Sequence, residues 1–252
     1  MSPGYGRRIA LAWFCLLLAG PLQARELLAV GTRFPGVFER QDDGQYAGLA
    51  TSLLREALEP LGYRLSFALY PWARAQHMVE LGQADILIGP YKNATREAQF
   101  AFSDRPFYRD RIVFYRSSAR QLDWDGDYRP LAGRRIGVVR GWFYGEGFER
   151  AREQLELITV EGVENGLRML GQGRLDLLAS NQRNTRPVLL ALGISDSFSQ
   201  LAPLIDQQDG YFAFPRQDGH RALRMDFDRS FERLIEQGRL AQLADRWQVV
   251  IP

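Results

Sequence analysis

An arginine that follows a short apolar run is the residue of this chain best suited to ligand chemistry. Arg96 comes a few positions after the apolar run at residues 86–88, which ends at Gly89. A guanidinium presents a planar fork of N–H donors that matches a carboxylate, and it stays charged inside a cleft. A continuous apolar run is typical of a strand covered on both faces in a parallel sheet. Open α/β sheets bind ligands beyond the carboxyl ends of such strands, so residues 89–96 are predicted to form a binding site.

A helix and a tight turn are predicted to position this strand. Apolar side chains recur at helical spacing within residues 74–81, which indicates an amphipathic helix. Gly82 follows at the place where helices commonly end in a left-handed residue. Trp72 precedes the helix, where it either fills the start of the helix or forms an aromatic wall of the site.

The same order of elements occurs twice along the chain. Apolar patterns predict β-α-β-α-β over residues 27–88 and again over residues 136–179. Each copy ends in a helix, a glycine, an aspartate and a strand, with Asp85 in the first copy and Asp176 in the second. Two α/β lobes, each with a mostly parallel sheet flanked by helices, are the simplest interpretation.

Two segments are predicted to connect the lobes. Residues 112–116 and 210–215 are rich in aromatic and β-branched side chains, and they bracket the second copy. Two crossovers would let the cleft close by hinge bending around a small molecule. We therefore expect lobe 1 to comprise residues 25–109 and 211–252, and lobe 2 to comprise residues 110–210. The charges near the crossovers are expected to pair with each other, namely Asp104, Asp110 and Asp209 with Arg105, Arg109 or Arg111.

The N-terminus has the pattern of a secretory signal peptide. Arg7 and Arg8 precede a short apolar core, and a cleavage site is predicted after Ala24. The signal peptide is thus expected to be residues 1–24, and the mature chain to begin at Arg25, without the single cysteine of the sequence. No later segment approaches the roughly 18 apolar residues of a transmembrane helix. These features predict a periplasmic protein.

The composition argues against several classes of function. The 252 residues are 46% hydrophobic and 25% charged, as in ordinary globular proteins. Loss of Arg7 and Arg8 would leave 30 basic against 30 acidic residues. A net charge near zero gives no reason to expect a nucleic acid as partner. His77 and His220 have no metal-ligand partner at short spacing, so we expect no metal, no cofactor and no catalysis.

Taken together, these features resemble the periplasmic solute-binding proteins of family 3, the receptors of amino-acid ABC importers. The resemblance covers nearly the whole mature chain, from residues 28–32 through Asp85, Arg96 and residues 102–104 to Trp247. Residues 71–75 resemble a less well characterised branch. The resemblance implies a two-lobed, hinged periplasmic binding protein fold of type II. It also implies a monomer that captures a small polar solute for the membrane permease of an ABC transporter.

The resemblance assigns roles to two residues and shows departures at others. An arginine at the position of Arg96 holds the α-carboxylate of the ligand in this family, and an aromatic residue often stands at the position of Trp72. Asn181 replaces the aspartate that commonly holds the ligand's ammonium group, and Arg33 replaces an acidic residue after the first strand. Tyr91 begins the segment that replaces a threonine-rich approach to the arginine.

The second lobe also departs from the family's pattern. Its small turn is replaced by Gly141 and three aromatic residues, of which Trp142 is the first, and these either pack inside the lobe or form a stacking wall. These departures put in question whether the ligand is a standard α-amino acid. Arginine side chains would suit an anionic or carboxylate-bearing ligand, and the aromatic rings would suit a ring or an apolar group. The predicted ligand-binding residues are Arg96, Trp72, Gly89, Tyr91, Arg33, Arg140, Trp142 and Asn181.

Three functions stay open at this point. The leading hypothesis is a binding protein that delivers its solute to an importer. The second is a sensory binding protein that acts on a separate membrane partner, which the neighbouring genes would distinguish from the first. The third is an enzyme on the same scaffold, for which Glu146 is the nearest candidate acid or base.

Overall fold

Twelve strands form the framework of the part of the chain that the structure describes. The structure is a computed structural model, and it describes residues 25–252. Ten of the twelve belong to one mixed sheet, and the other two form a separate hairpin. The strands are β1 (Glu26–Gly31), β2 (Glu39–Arg40), β3 (Tyr46–Ala47), β4 (Arg64–Leu69), β5 (Ile86–Tyr91), β6 (Phe100–Phe102), β7 (Tyr108–Ser117), β8 (Arg135–Val139), β9 (Glu156–Val160), β10 (Leu177–Asn181), β11 (Phe198–Gln200) and β12 (Asp206–Pro215).

Eight α-helices accompany these strands within residues 25–252. Several carry a clear apolar stripe, as in the first, whose residues Leu49, Leu53, Leu54, Ala57 and Leu58 are buried. The helices are α1 (Leu49–Leu58), α2 (Trp72–Glu80), α3 (Ala94–Gln99), α4 (Glu146–Ala151), α5 (Val163–Gly171), α6 (Gln182–Leu192), α7 (Asp218–Glu236) and α8 (Arg239–Trp247). No helix in this range is long and apolar enough to cross a membrane.

The sheet runs through both lobes in the order β4-β1-β5-β12-β7-β10-β8-β9, with β6 beside β12 and β11 beside β7. The strands β4, β1 and β5 are parallel, as are β10, β8 and β9. The long strands β7 and β12 lie between these groups and are antiparallel to each other. They are the two predicted crossovers. The two-lobed α/β fold expected from the repeated pattern is therefore confirmed.

The aspartates of the repeated turn hold equivalent positions in the two lobes. Asp85 Oδ2 accepts a hydrogen bond from the Leu28 N–H at 2.9 Å, and Asp176 Oδ2 accepts one from the Arg135 N–H at 2.9 Å. The main-chain N–H of each aspartate donates back to the carbonyl oxygen of the same strand residue. This reciprocal pair fixes the start of one parallel strand against its neighbour, which explains why the helix-glycine-aspartate-strand pattern occurs twice.

Some predicted details were right and others wrong. Arg109 forms the expected ion pair with Asp209. Asp110 and Asp104 do not pair with nearby arginines; their partners are Arg183 and Arg224, which come from distant parts of the chain. The run predicted to end at Gly89 continues as β5 to Tyr91, and α3 and α6 were not predicted. The predicted signal peptide, residues 1–24, lies outside the described residues, and no observation tests the predicted lobe boundaries.

Candidate functional site

A small cavity lies where the two lobes meet. Its volume is about 20 Å³, which leaves room for about one water molecule. A solute the size of an amino acid requires this interface to open, and the two-crossover topology is of the kind that permits such a motion. The cavity is lined by Phe34, Trp72, Gly89, Tyr91 and Arg96 from the first half of the chain and by Trp142, Phe143 and Asn181 from the second.

Arg96 lies on helix α3 at the centre of this interface. Asn93 caps the start of this helix, because its side chain accepts a hydrogen bond from the Arg96 N–H at 2.8 Å. The Arg96 side chain donates from Nη1 to the Tyr91 carbonyl and from Nη2 to the Gly141 carbonyl, both at 3.0 Å. The residue is only 6% exposed, and burial lowers the pKa of its guanidinium. Within residues 25–252 no carboxylate forms a salt bridge with it.

Trp72 and the Gly141 carbonyl complete this contact between the lobes. Trp72 Nε1 donates to the same Gly141 oxygen at 3.2 Å. The indole packs edge-to-face on Phe34, with the ring centroids 5.6 Å apart, and lies 5.8 Å from the Arg96 guanidinium carbon. Trp72 therefore both forms a wall of the cavity and begins helix α2, so the two interpretations of its role in the sequence are compatible.

Gly89 allows the chain to pass close to this wall. Its φ is +85°, and a Cβ there would lie 3.0 Å from Tyr108 Oη and 3.1 Å from the Phe34 ring. Tyr108 Oη donates to the Gly89 carbonyl at 2.7 Å. A side chain at this position would displace the Phe34 ring, which lines the cavity, and the Tyr108 hydroxyl.

Behind the cavity, a largely buried ion pair joins helix α6 to the crossover strand β7. Arg183 binds Asp110 through two hydrogen bonds, Nε to Oδ1 at 2.9 Å and Nη2 to Oδ2 at 2.7 Å. Arg183 Nη1 also donates to the Pro35 carbonyl at 3.2 Å. Burial alone would lower the pKa of Arg183, but the charge and hydrogen bonds of Asp110, together with Tyr108 and Tyr91, outweigh it and raise that pKa. The Asp110 carboxylate is thus already neutralised by a residue of the protein itself.

Tyr91 and Asn181 extend this network. Tyr91 Oη donates to Asp110 Oδ2 at 2.6 Å and accepts from Asn181 Nδ2 at 3.3 Å. Burial and the Asp110 charge raise the pKa of the Tyr91 phenol. Asn181 Oδ1 accepts from the Asn184 N–H at 2.8 Å and so caps helix α6. Asn181 lines the cavity, but its two polar atoms already have protein partners.

Arg183 was missed by sequence reasoning. It lies two residues after Asn181, on a helix with only three buried residues, Asn184, Thr185 and Leu189. Such a helix gives no strong apolar stripe. The available signal was Asn181 itself, because an asparagine after a buried strand is a common N-cap, and a helix starting there places Arg183 in its first turn.

Arg33 and Arg140 lie outside the cavity, in an adjoining surface depression of about 560 Å³ between the lobes. Arg33 lies 3.6 Å from Glu39, and Arg140 lies 2.6 Å from Glu161. Both arginine side chains are largely exposed. The structure therefore does not bring these arginines together with Arg96, and their part in ligand binding stays a prediction.

The three aromatic residues after Gly141 have different environments. Trp142 and Phe143 line the cavity. Tyr144 is buried in the second lobe, where its ring packs on Phe148 and its hydroxyl accepts from the Val139 N–H at 2.6 Å. Each of the two interpretations of the segment, lobe packing and cavity wall, thus fits part of it.

The histidines take no part in this site. His77 is exposed beside Glu80, and His220 Nε2 lies 3.0 Å from Asp85 at the base of the first lobe. Among residues 25–252, no three His, Cys, Asp or Glu side chains are grouped as a metal ion would require.

The fold and this interlobe site define a class of two-lobed binding proteins. Residues 28–250 match the bacterial extracellular solute-binding proteins, family 3. The chain belongs to this family, whose members bind small-molecule ligands and work with ABC transporters. The resemblance seen in the sequence is confirmed.

Two relatives illustrate the range of proteins to which this chain is similar. It is 24% identical over 248 residues to the membrane-bound lytic murein transglycosylase F of Methylobacillus flagellatus, a match over 91% of this chain and 49% of the relative. The chain thus spans about half the length of that protein. It is 20% identical over 220 residues to the L-cystine-binding protein TcyA of Bacillus subtilis, a match over 86% of this chain and 78% of the relative.

Solved structures agree with the fold. A histidine kinase sensor domain with similarity to periplasmic binding proteins superposes with a TM-score of 0.80 at 19% identity, over 91% of this chain and 99% of that one. The substrate-binding protein of an ABC uptake transporter from Streptococcus pneumoniae, with bound histidine, gives a TM-score of 0.73 at 17% identity, over 88% and 92% of the two chains. At these identities the likeness applies to the fold alone.

Proposed function

We propose that this protein is a periplasmic solute-binding protein that captures a small, polar, carboxylate-bearing solute, such as an amino acid or a derivative, for an ABC importer. The observation that carries the proposal is Arg96, whose buried guanidinium contacts two main-chain carbonyls, one from each lobe, and no carboxylate of residues 25–252. A buried charge is normally paired. A ligand carboxylate would replace the Gly141 carbonyl at Nη2 and supply the missing negative charge.

The proposal includes how the ligand enters and where the protein works. The lobes, residues 25–109 with 211–252 and residues 110–210, open by bending at β7 and β12, and they close when the ligand binds. Residues 1–24 act as a signal peptide, so sequencing of the exported protein should give Arg25 as the first residue. The protein acts as a monomer, binds its solute without chemical change and passes it to a membrane permease.

A thermal-shift screen tests the central claim. The chain from Arg25 is heated with amino acids, organic acids, polyamines and short peptides. A ligand at a hundred times its dissociation constant adds about 2.7 kcal/mol, which raises the Tm of a protein of this size by roughly 5–10 °C. Arg96→Ala should abolish the shift for a carboxylate ligand, and Arg96→Lys, which keeps the charge but not the fork, should restore only part of it.

Arg140→Ala serves as a matched control. This arginine lies at the exposed mouth of the cleft and pairs with Glu161, so its loss should affect binding less than the loss of Arg96. Each variant without ligand should keep the circular dichroism spectrum of the parent. A carboxylate that binds equally well to Arg96→Ala and to the parent would refute the proposed clamp.

A sensory role is the second candidate. One support is the likeness to the histidine kinase sensor domain, 99% of which is matched by this chain. The other is the likeness to the murein transglycosylase, of which this chain spans about half. A permease gene beside the gene of this protein would support transport, together with uptake of the ligand that is lost when the gene of this protein is deleted. Loss of a cellular response to the ligand, with uptake unchanged, would support sensing.

A further inference from the structure

A second depression is lined by Arg96 but not by Asn181. Its volume is about 480 Å³, and it is bounded by the turn and helix at residues 93–96 of the first lobe and by residues 141–152 of the second. It shares Arg96 and Trp142 with the small cavity but does not include Asn181. Small-molecule pockets commonly have volumes of roughly 300–1,000 Å³, so this depression is large enough for a solute that also reaches Arg96.

Glu149 lines this depression with one unsatisfied carboxylate oxygen. Its Oε2 accepts from Arg152 Nε at 2.8 Å. Its Oε1 is shielded from solvent and has no hydrogen-bond partner among residues 25–252. An ionised carboxylate offers about four acceptor sites, and leaving a shielded oxygen without a donor is costly. This oxygen would gain a hydrogen bond from a donor group of a ligand once the interface opens to admit one.

Arg96 and Glu149 have opposite charges and line the same depression. Burial lowers the pKa of the Arg96 guanidinium, and the Glu149 carboxylate is close enough to oppose that shift. Asp110 is bound by Arg183 and Tyr91, whereas Glu149 is paired with Arg152 through one of its two oxygens. A cationic group beside Asn181 would find only an amide whose polar atoms already have partners.

We propose that Glu149 binds a positively charged group of the ligand whose carboxylate Arg96 holds. This inference rests on the proposed function, because it requires the carboxylate clamp. It assigns the protein to ligands that carry both charges, with the cationic end turned towards residues 146–152 and away from Asn181. The acid that is missing at position 181, at the end of strand β10, is thus supplied from helix α4.

Matched ligands provide the test. The probes are the twenty proteinogenic L-amino acids and the corresponding carboxylic acids without the amino group, for example phenylalanine against 3-phenylpropanoate. Affinities of the intact mature chain are measured by calorimetry after a thermal-shift screen. We expect at least one amino acid to bind, and its deaminated partner to bind at least about tenfold more weakly.

Variants at two glutamates distinguish the proposed contact from general charge. Glu149→Gln should weaken the binding of that amino acid by about ten- to a hundredfold and leave the deaminated acid unchanged. Glu149→Asp should restore part of the affinity. Glu146→Gln is the control, because Glu146 lines the same depression but is exposed, and it should change the affinity by less than about twofold.

The outcomes separate this inference from the proposed function. If Arg96→Ala abolishes binding but Glu149→Gln does not weaken it, the clamp stands and the role of Glu149 is wrong. A deaminated acid that binds as tightly as its amino acid, or a simple carboxylate that binds when every amino acid fails, also overturns this inference. If Arg96→Ala binds normally, both proposals fail. The comparison of ligands on the parent chain decides the matter even if a glutamate variant does not fold.

Discussion

Loss of the buried Arg183–Asp110 pair should destabilise the protein strongly. The side chains are 13% and 1% exposed, and two hydrogen bonds of 2.9 and 2.7 Å join them. Arg183→Met would leave the Asp110 carboxylate buried with the Tyr91 hydroxyl as its remaining side-chain partner. Removing one member of a buried ion pair costs about 3–5 kcal/mol, because the other charge is left uncompensated. For a chain of this size that corresponds to a fall in Tm of roughly 6–20 °C.

The chain contains a well-matched control for this prediction. Arg109 and Asp209 are joined by a similar pair of hydrogen bonds, 2.6 and 2.9 Å long, but their side chains are 35% and 26% exposed. Solvent screens such a pair, so Arg109→Met should cost about 0–1 kcal/mol. The two variants differ mainly in the burial of the charge that is left behind.

Urea unfolding at neutral pH gives the free energies, and calorimetry gives the Tm. The double variant of Arg183→Met with Asp110→Asn should be less destabilised than the sum of the single variants, because neither charge is then left alone. Equal losses for Arg183→Met and Arg109→Met, or strict additivity in the double variant, would refute the argument from burial.

Two further measurements test a buried charge and a buried donor. Burial raises the pKa of Asp228 to about 6, so between about pH 4 and pH 6 the folded state keeps a proton that the unfolded chain has lost. The free energy of unfolding should therefore fall as the pH rises through this window. Asp228→Asn should remove about 1–2 kcal/mol of that fall, measured by urea unfolding. Tyr144→Phe should cost about 1–3 kcal/mol by the same assay, because it leaves the buried Val139 N–H without a partner; Tyr63→Phe, which loses a partly exposed bond to Asp226, should cost less. A pH profile unchanged by Asp228→Asn, or equal losses for the two tyrosines, would contradict these expectations.

The fold was largely predictable because its signals are local. Continuous apolar runs marked the buried parallel strands, and the repeated turn with Asp85 and Asp176 marked two equivalent lobes. These aspartates act on the strand beside their own turn, so the pattern needs little information from the rest of the chain. Helix α6 was not predicted, because it has only three buried residues and lacks a continuous apolar stripe.

The site was only partly predictable because its contacts join distant segments. Position after a buried strand, together with the family resemblance, pointed to Arg96. The contact with the Gly141 carbonyl depends on how the lobes meet, and the partner of Asp110 depends on helix α6. Arginines close to Asp110 in the sequence were predicted as its ion-pair partners. Charge alone could not select Arg183 from the many arginines of this sequence.

The contrast between the two buried arginines of the interface explains which of them is available to a ligand. Arg183 has a carboxylate from its own chain, Asp110, and the two form an ion pair without any ligand. Arg96 is equally enclosed, yet its side chain has neutral acceptors, the carbonyls of Tyr91 and Gly141. A carbonyl satisfies an N–H donor but does not neutralise the charge, and hydrogen bonds between two charged groups are stronger. We therefore expect a ligand carboxylate to displace the Gly141 carbonyl, whereas at Arg183 it would have to compete with Asp110.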